Sequence, residues 1–216
     1  MDISFGFLGI IGGLLCAVGD SLLDFKGAGN QKLGSKKMID SKWLDMSFGR
    51  FDTSIILAAI GVPLYFLGFI AMRNQIALND ERLALIFFLV AMVGTTGGLF
   101  IHATVCLSPI IYKTLQEKVA FEVIDELINR IFKAVLVPFA VLFFCLVIGT
   151  SGIVIYAILT DVLSLSRWFI FLTPLSLMLI GWIFRLINKE IFADFPGIVM
   201  PSVGIAMIGL MAVLNG

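Results

Sequence analysis

The chain predicts an all-α fold, a polytopic transmembrane bundle of six helices with amphipathic segments along one face. Three observations predict it. Charge-free apolar runs cover residues 3–19, 53–72, 83–112, 134–160, 168–184 and 195–216, each near or above the ~20 residues that cross a hydrocarbon core of ~30 Å. Hydrophobic residues make up 60% of 216 and the mean hydropathy is +1.07, which is more apolar surface than a soluble domain of this length can bury. The third observation is where positive charge falls. Of fifteen Lys and Arg, only Arg73, Arg82 and Arg167 lie in connectors after even-numbered runs; the other twelve follow runs one, three and five. That bias puts the odd connectors in the cytoplasm and both termini outside, in a multi-pass protein of the cytoplasmic (inner) membrane. The runs and their connectors use nearly all of 1–216, so a single integral membrane domain is expected.

The same composition excludes other classes. Fifteen acidic residues balance the basic ones, and no basic stripe with interleaved aromatics exists, so nucleic acid is not an expected partner. Cys16, Cys106 and Cys145 all fall in apolar runs without CxxC spacing, which argues against a disulfide framework and a structural zinc site. No metal and no cofactor is expected. Membrane lipids are the expected partners, and a second copy of the chain is the other partner the bundle admits.

Run one lacks a basic n-region, since only Asp2 precedes it and the first lysine is Lys26, so it reads as a retained span rather than a cleaved signal. Gly9, Gly13 and Ala17 recur at four-residue intervals, the spacing of a seam where another helix comes close. The connector 21–52 is too long for a turn. Its Gly27, Gly29 and Gly34 do not follow a strand, and no lysine has the position a phosphate loop needs, so nucleotide binding by such a loop is not expected. Between Lys36 and Phe51, charges alternate with Met38, Ile39, Trp43, Leu44, Met46 and Phe48, the pattern of a short amphipathic helix in the headgroup layer.

Run two carries Pro63, which removes an internal hydrogen bond and predicts a kink. Run three is 30 residues long, more than a span needs, and Ser108-Pro109 predicts the point where the helix ends. An amphipathic cytoplasmic helix over 114–130 is then expected, with Leu115, Val119, Ile124, Leu127 and Ile128 at helical intervals among charged residues. Run four has Lys133 at its inner end, Pro138 soon after and a small polar patch at 149–152. Run five contains Pro174; run six opens with Asp194-Phe195-Pro196-Gly197 as cap and first turn and includes Pro201-Ser202. Prolines inside runs two, four, five and six suit a bundle whose interior is shaped around a cavity. Trp168 and Trp182 suit the aromatic belts.

His102, the single histidine, lies within run three, about 9 Å on the cytoplasmic side of the midpoint between Leu83 and Pro109. Thr95, Gly98, His102 and Cys106 share a face, and such a face points into a bundle. Gly13, Cys16, Asp20 and Asp24 share a face of run one, and Asp20 lies in the layer of His102 or the one just below it. An ionisable residue inside the membrane is a functional hypothesis by default. A carboxylate against an imidazole nitrogen fixes the tautomer and raises basicity, so His102 and Asp20 are the candidate catalytic residues. Asp24, Arg50 and Asp52 are expected to form an ion network at the cytoplasmic face. With Lys26, Trp43 and nearby glycine amides, they are the candidate residues for holding a lipid or its headgroup.

Gly19-Asp20-Ser21-Leu22-Leu23-Asp24, Gly49-Arg50-Phe51-Asp52 and Gly97-Gly98 with His102 together resemble an uncharacterised bacterial family of small six-span integral membrane proteins. The resemblance implies that fold for most of the chain and no activity. The Gly-Asp ending of run one is also similar to the membrane lysoplasmalogenases, which cleave a vinyl-ether lipid with intramembrane acids. This chain departs from them in having six runs rather than eight and no acid in runs four to six. The sequence therefore points to an integral membrane protein with a cytoplasm-facing polar cavity for a lipid or amphiphile. A membrane-embedded lipid-modifying hydrolase and a small-solute or proton-coupled transporter are the alternatives.

Overall fold

In the computed structural model, which describes residues 3–27, 29–193, 197 and 199–216, the chain is helical almost throughout. Helix α1 spans Ile3–Asp24. A two-residue antiparallel hairpin follows, β1 (Lys32–Leu33) with β2 (Ile39–Asp40), then a 3-10 turn at Ser41–Leu44. Helix α2 spans Phe48–Ala77 and α3 spans Glu81–Leu115. Helix α4 (Phe121–Phe143) passes through a π-helical stretch (Phe144–Gly149) directly into α5 (Thr150–Leu159). A 3-10 segment at Arg167–Leu172 leads to α6 (Pro174–Ile187), and α7 (Met200–Asn215) closes the chain. Helices α1, α2, α3 and the composite Phe121–Leu159 are long and apolar enough to cross a membrane; α6 and α7 are shorter apolar helices.

The glycines of α1 set the packing. A Cβ on Gly9 would collide with Gly68 Cα of α2, and one on Gly13 would collide with Ala206 of α7. Gly209 of α7 meets the α1 backbone in the same way, at Gly6 O and Ile10 N. Helix α1 therefore lies in backbone contact with two neighbours at once, the close approach that small residues permit. Around this seam Tyr65, Phe69 and Phe87 stack edge to face in a first core layer with Met72, Ile208 and Met211. A second layer gathers Leu23, Ile39, Trp43, Phe51, Tyr112 and Ile128 at the Asp24 end of the bundle.

Local chemistry fixes several boundaries. Asp80 caps α3 by accepting from Leu83 N at 2.9 Å. Pro174 occupies the first turn of α6, and Ser151 Oγ of α5 accepts from Leu175 N at 3.0 Å, so the cap comes from another helix. The expected small patch at 149–152 thus makes a helix contact, with Thr150 and Ser151 fully buried.

Four expectations are corrected. No interfacial helix forms over 36–51: Ile39, Trp43 and Met46 turn inward onto α3 and α4, so a hairpin and a 3-10 turn replace it. Helix α3 does not end at Pro109 but runs 35 residues, because the proline ring is buried in the packed interior rather than released to a loop. The amphipathic segment starts at Phe121, not Thr114. Run five is broken at Thr173-Pro174 into a 3-10 segment and a 14-residue helix, about 21 Å long. The cap expected at 194–196 lies outside the described residues.

Candidate functional site

Helix α1 delivers Asp20 one turn before its end, α3 delivers His102, α2 delivers Ser54 and α7 delivers Ser202. His102 Nδ1 lies 3.2 Å from Asp20 Oδ1, and Ser202 Oγ donates to Asp20 Oδ2 at 2.5 Å. On the other side of the ring, Nε2 lies 2.9 Å from Ser54 Oγ. Four helices therefore meet through one carboxylate and one imidazole.

Hydrogen-bond roles follow from the network. Ser54 Oγ donates to the Gly19 carbonyl at 2.7 Å and takes a weak donation from Cys106 Sγ at 3.6 Å. Its one proton is thus engaged, and Nε2 must donate to it. Nδ1 and Oδ1 both carry lone pairs, so a proton lies between them, whichever atom holds it more tightly. The order Asp20, His102, Ser54 is that of a hydrolytic triad. The serine, however, is fully buried behind the ring and its hydroxyl faces a helix carbonyl, which is a bracing role and not a nucleophile's.

Asp20, His102 and Ser202 border a cavity of about 200 Å³ enclosed by α1, α2, α3, α4 with its π-helical stretch, and the start of α7. Its lining is graded. Asp24, Asp20, His102 and Ser202 lie toward one end; Val62, Tyr65, Leu146 and Ile205 lie deeper. From Asp24 to Cys16, both on its wall, α1 rises about 12 Å. The π-helical stretch contributes Leu146 and Val147 to this wall, a deviation of the kind that recurs at functional sites.

At the polar end the connector 24–42 is tied by charge. Lys26 Nζ, its side chain 4% exposed, pairs with Asp24 at 2.7 Å and with Asp40 at 3.5 Å. Buried Asp40 also takes Lys32 Nζ at 2.9 Å and Asn30 Nδ2 at 2.6 Å. Lower down, Ser35 N donates to Asp125 Oδ2 at 3.0 Å and Asn129 Nδ2 to Oδ1 at 3.0 Å. The Ser35 backbone bond is the main reason the Asp125 carboxyl, in the charged part of α4, titrates below the usual carboxylate range.

The structure joins His102 with Asp20 and sets Asp24 and Lys26 beside them. It does not assemble the expected Arg50 network. Arg50 donates from Nε to Leu22 O at 3.0 Å and from its terminal nitrogen to Phe25 O at 2.9 Å, satisfying carbonyls left open where α1 ends. Asp52 is exposed on α2. Trp43 is 4% exposed, edge to face with Tyr112, so it is a core residue and not a headgroup contact. Ser54 and Ser202 were not singled out from the sequence. Both lie within two turns of the starts of their runs, so a residue count along the runs would have placed them in the Asp20 layer.

A family model described as "Family of unknown function (DUF6796)" matches residues 1–216, the whole chain. No curated protein and no solved structure matches it.

Proposed function

The chain belongs to this family of unknown function, and we propose that it is a six-span protein of the cytoplasmic membrane that binds a lipid or other amphiphile in the Asp20–His102 cavity. In this reading α6 with its 3-10 lead-in and α7 are the fifth and sixth spans. The Asp24 end faces the cytoplasm, where twelve of the fifteen Lys and Arg collect.

The observation that carries the reading is the graded cavity, polar at the Asp24 end and, apart from the Tyr65 hydroxyl, apolar in its depth. That gradient matches a molecule with one polar and one hydrocarbon part, and neither a bare ion nor a plain hydrocarbon uses both. Size narrows the mode. About 200 Å³ is below the roughly 300–1,000 Å³ of pockets that enclose a drug-sized ligand. Only part of an amphiphile fits, and the remainder lies outside the cavity.

The test is the lipid content of the full-length protein purified in mild detergent, read by mass spectrometry. Leu142→Trp fills the cavity and should strip a lipid that the wild type retains. Equal lipid retention by the two proteins would overturn the proposal.

A lipid-modifying hydrolase is the second reading, favoured by the Asp20–His102 contact at the cavity wall. Both ring nitrogens of His102 are engaged, so Asp20 and not His102 is the group with spare lone pairs for a water. Asp20→Asn should then abolish turnover of a bound lipid while leaving its binding intact.

A further inference from the structure

The deep end of the Asp20–His102 cavity holds a polar group that the bundle leaves unspent. Tyr65 of α2 is 3% exposed, and its ring is fixed edge to face against Phe69. Its hydroxyl reaches over Gly98 of α3, where a Cβ would stand 2.8 Å from the oxygen, and both residues line the cavity. A residue without a side chain is what leaves the phenol that place. Among the described residues, no hydrogen bond reaches Tyr65 Oη. Thr95 lies near it on α3, but Thr95 Oγ1 is itself buried without a partner, so the two hydroxyls do not satisfy each other. The surrounding wall of Cys16, Val62, Leu142, Leu146 and Ile205 offers no side-chain oxygen or nitrogen. Leaving a buried hydroxyl unpaired is costly, and one aimed into a cavity is paired by what the cavity holds.

Gly98 and His102 are four residues apart on α3, so the phenol lies about 6 Å deeper along that helix than the imidazole. The wall thus presents two polar stations one helical turn apart. Asp20 is an acceptor whose lone pairs exceed its bonds to His102 and Ser202, and Tyr65 is a donor. Resting on the amphiphile reading above, we infer that the ligand is an acylated polyol of the monoacylglycerol kind, with a free hydroxyl at Asp20 and its ester carbonyl accepting a hydrogen bond from Tyr65 Oη. The spacing decides the class. A fatty acid or fatty alcohol has its oxygen at one end of the chain and reaches one station only. An acylated polyol carries hydroxyl donors and, several bonds further along, a carbonyl acceptor, in the order in which the wall offers acceptor and donor. Phenol and ester are both neutral, so the pairing brings no charge into the apolar depth.

The experiment uses the full-length protein in detergent and native mass spectrometry with three probes: monooleoylglycerol, its oleyl ether analogue, which lacks the carbonyl oxygen, and oleic acid. The wild type should hold the ester roughly three- to tenfold more tightly than the ether, the worth of one neutral hydrogen bond. Tyr65→Phe, which keeps the ring against Phe69, should bring the ester down to the level of the ether and leave the ether unchanged. Infrared spectra of monooleoylglycerol labelled with carbon-13 at the carbonyl should show a lower stretching frequency on the wild type than on Tyr65→Phe. Equal binding of ester and ether by the wild type overturns the inference. So does equal weakening of both by Tyr65→Phe, a carbonyl stretch that the variant does not move, or oleic acid binding as tightly as the ester. If the wild type holds none of the three probes, the cavity reading itself fails. If ester and ether bind alike and Leu142→Trp expels both, only the carbonyl assignment to Tyr65 falls.

Discussion

His102 Nδ1 stands 3.2 Å from Asp20 Oδ1, and with Ser54 on the other nitrogen at 2.9 Å the imidazole bridges α3 to both α1 and α2. Asp20 extends the bridge to α7 through Ser202. A carboxylate in an apolar bundle is tolerated when donors surround it. Here the donors come from two other helices, so the acid specifies which helices are neighbours.

Removing one partner of this pair should cost more than removing both. His102→Ala leaves Asp20 with Ser202 alone, a loss of about 3 kcal/mol for a charge left half-partnered. Asp20→Asn with His102→Ala should recover part of it. Thermal unfolding in detergent measures both, and a double variant less stable than His102→Ala by the full cost of the second change would rule out the coupling.

Gly9→Leu forces a side chain into the Gly68 backbone, and the helices cannot part there without opening the α7 contact as well. A loss of about 3 kcal/mol or more is expected, the upper end of overpacking costs. Gly152→Ala is the matched control, because a Cβ there meets nothing within 4 Å. Equal melting temperatures for the two variants would contradict the seam.

Brominated acyl chains should quench two of the three tryptophans. Trp168 and Trp182 are 54% and 48% exposed on apolar helix surfaces, whereas Trp43 lies in the second core layer. Trp43→Phe should therefore remove an unquenchable component of the emission. Loss of a quenchable one would place Trp43 at the lipid boundary instead.

Asp125→Asn should release the turn at Gly34 and Ser35, seen as faster tryptic cleavage at Lys36 and Lys37. The pH dependence has a definite sign. The folded carboxyl titrates below its unfolded counterpart, so the tether is fully present above the ordinary carboxylate range and is lost as pH falls through the lowered value. Hydrogen exchange at Ser35 N should distinguish wild type from variant at pH 7 and lose that distinction in acid, below the ordinary carboxylate range. A difference that persists unchanged into acid would remove Asp125 as the cause.

The all-α class and the shared layer of Asp20 and His102 were legible because hydropathy marks the helices and the helical rise counts position along them. Lateral order was not. Nothing in the Gly9, Gly13 and Ala17 spacing says that α2 covers one part of that stripe and α7 another, which is why Ser202 went unread as a partner of Asp20. Trp43 and Arg50 misled for a different reason. Tryptophan between lysines has the composition of a headgroup contact, yet α3 and α4 supply an apolar hollow that no local pattern announces. An arginine near acids reads as an ion pair, but the open carbonyls of α1 were closer.

The seam of α1 has a mechanical consequence. Where backbone touches backbone, no side-chain rotamer can shift to make room, so the face carrying Asp20 is stiff. The opposite wall carries the side chains of Phe139, Leu142 and Phe143 on α4, which can turn where a backbone cannot. Any widening of the hollow therefore falls to the α4 side, with the acid standing still as the anvil.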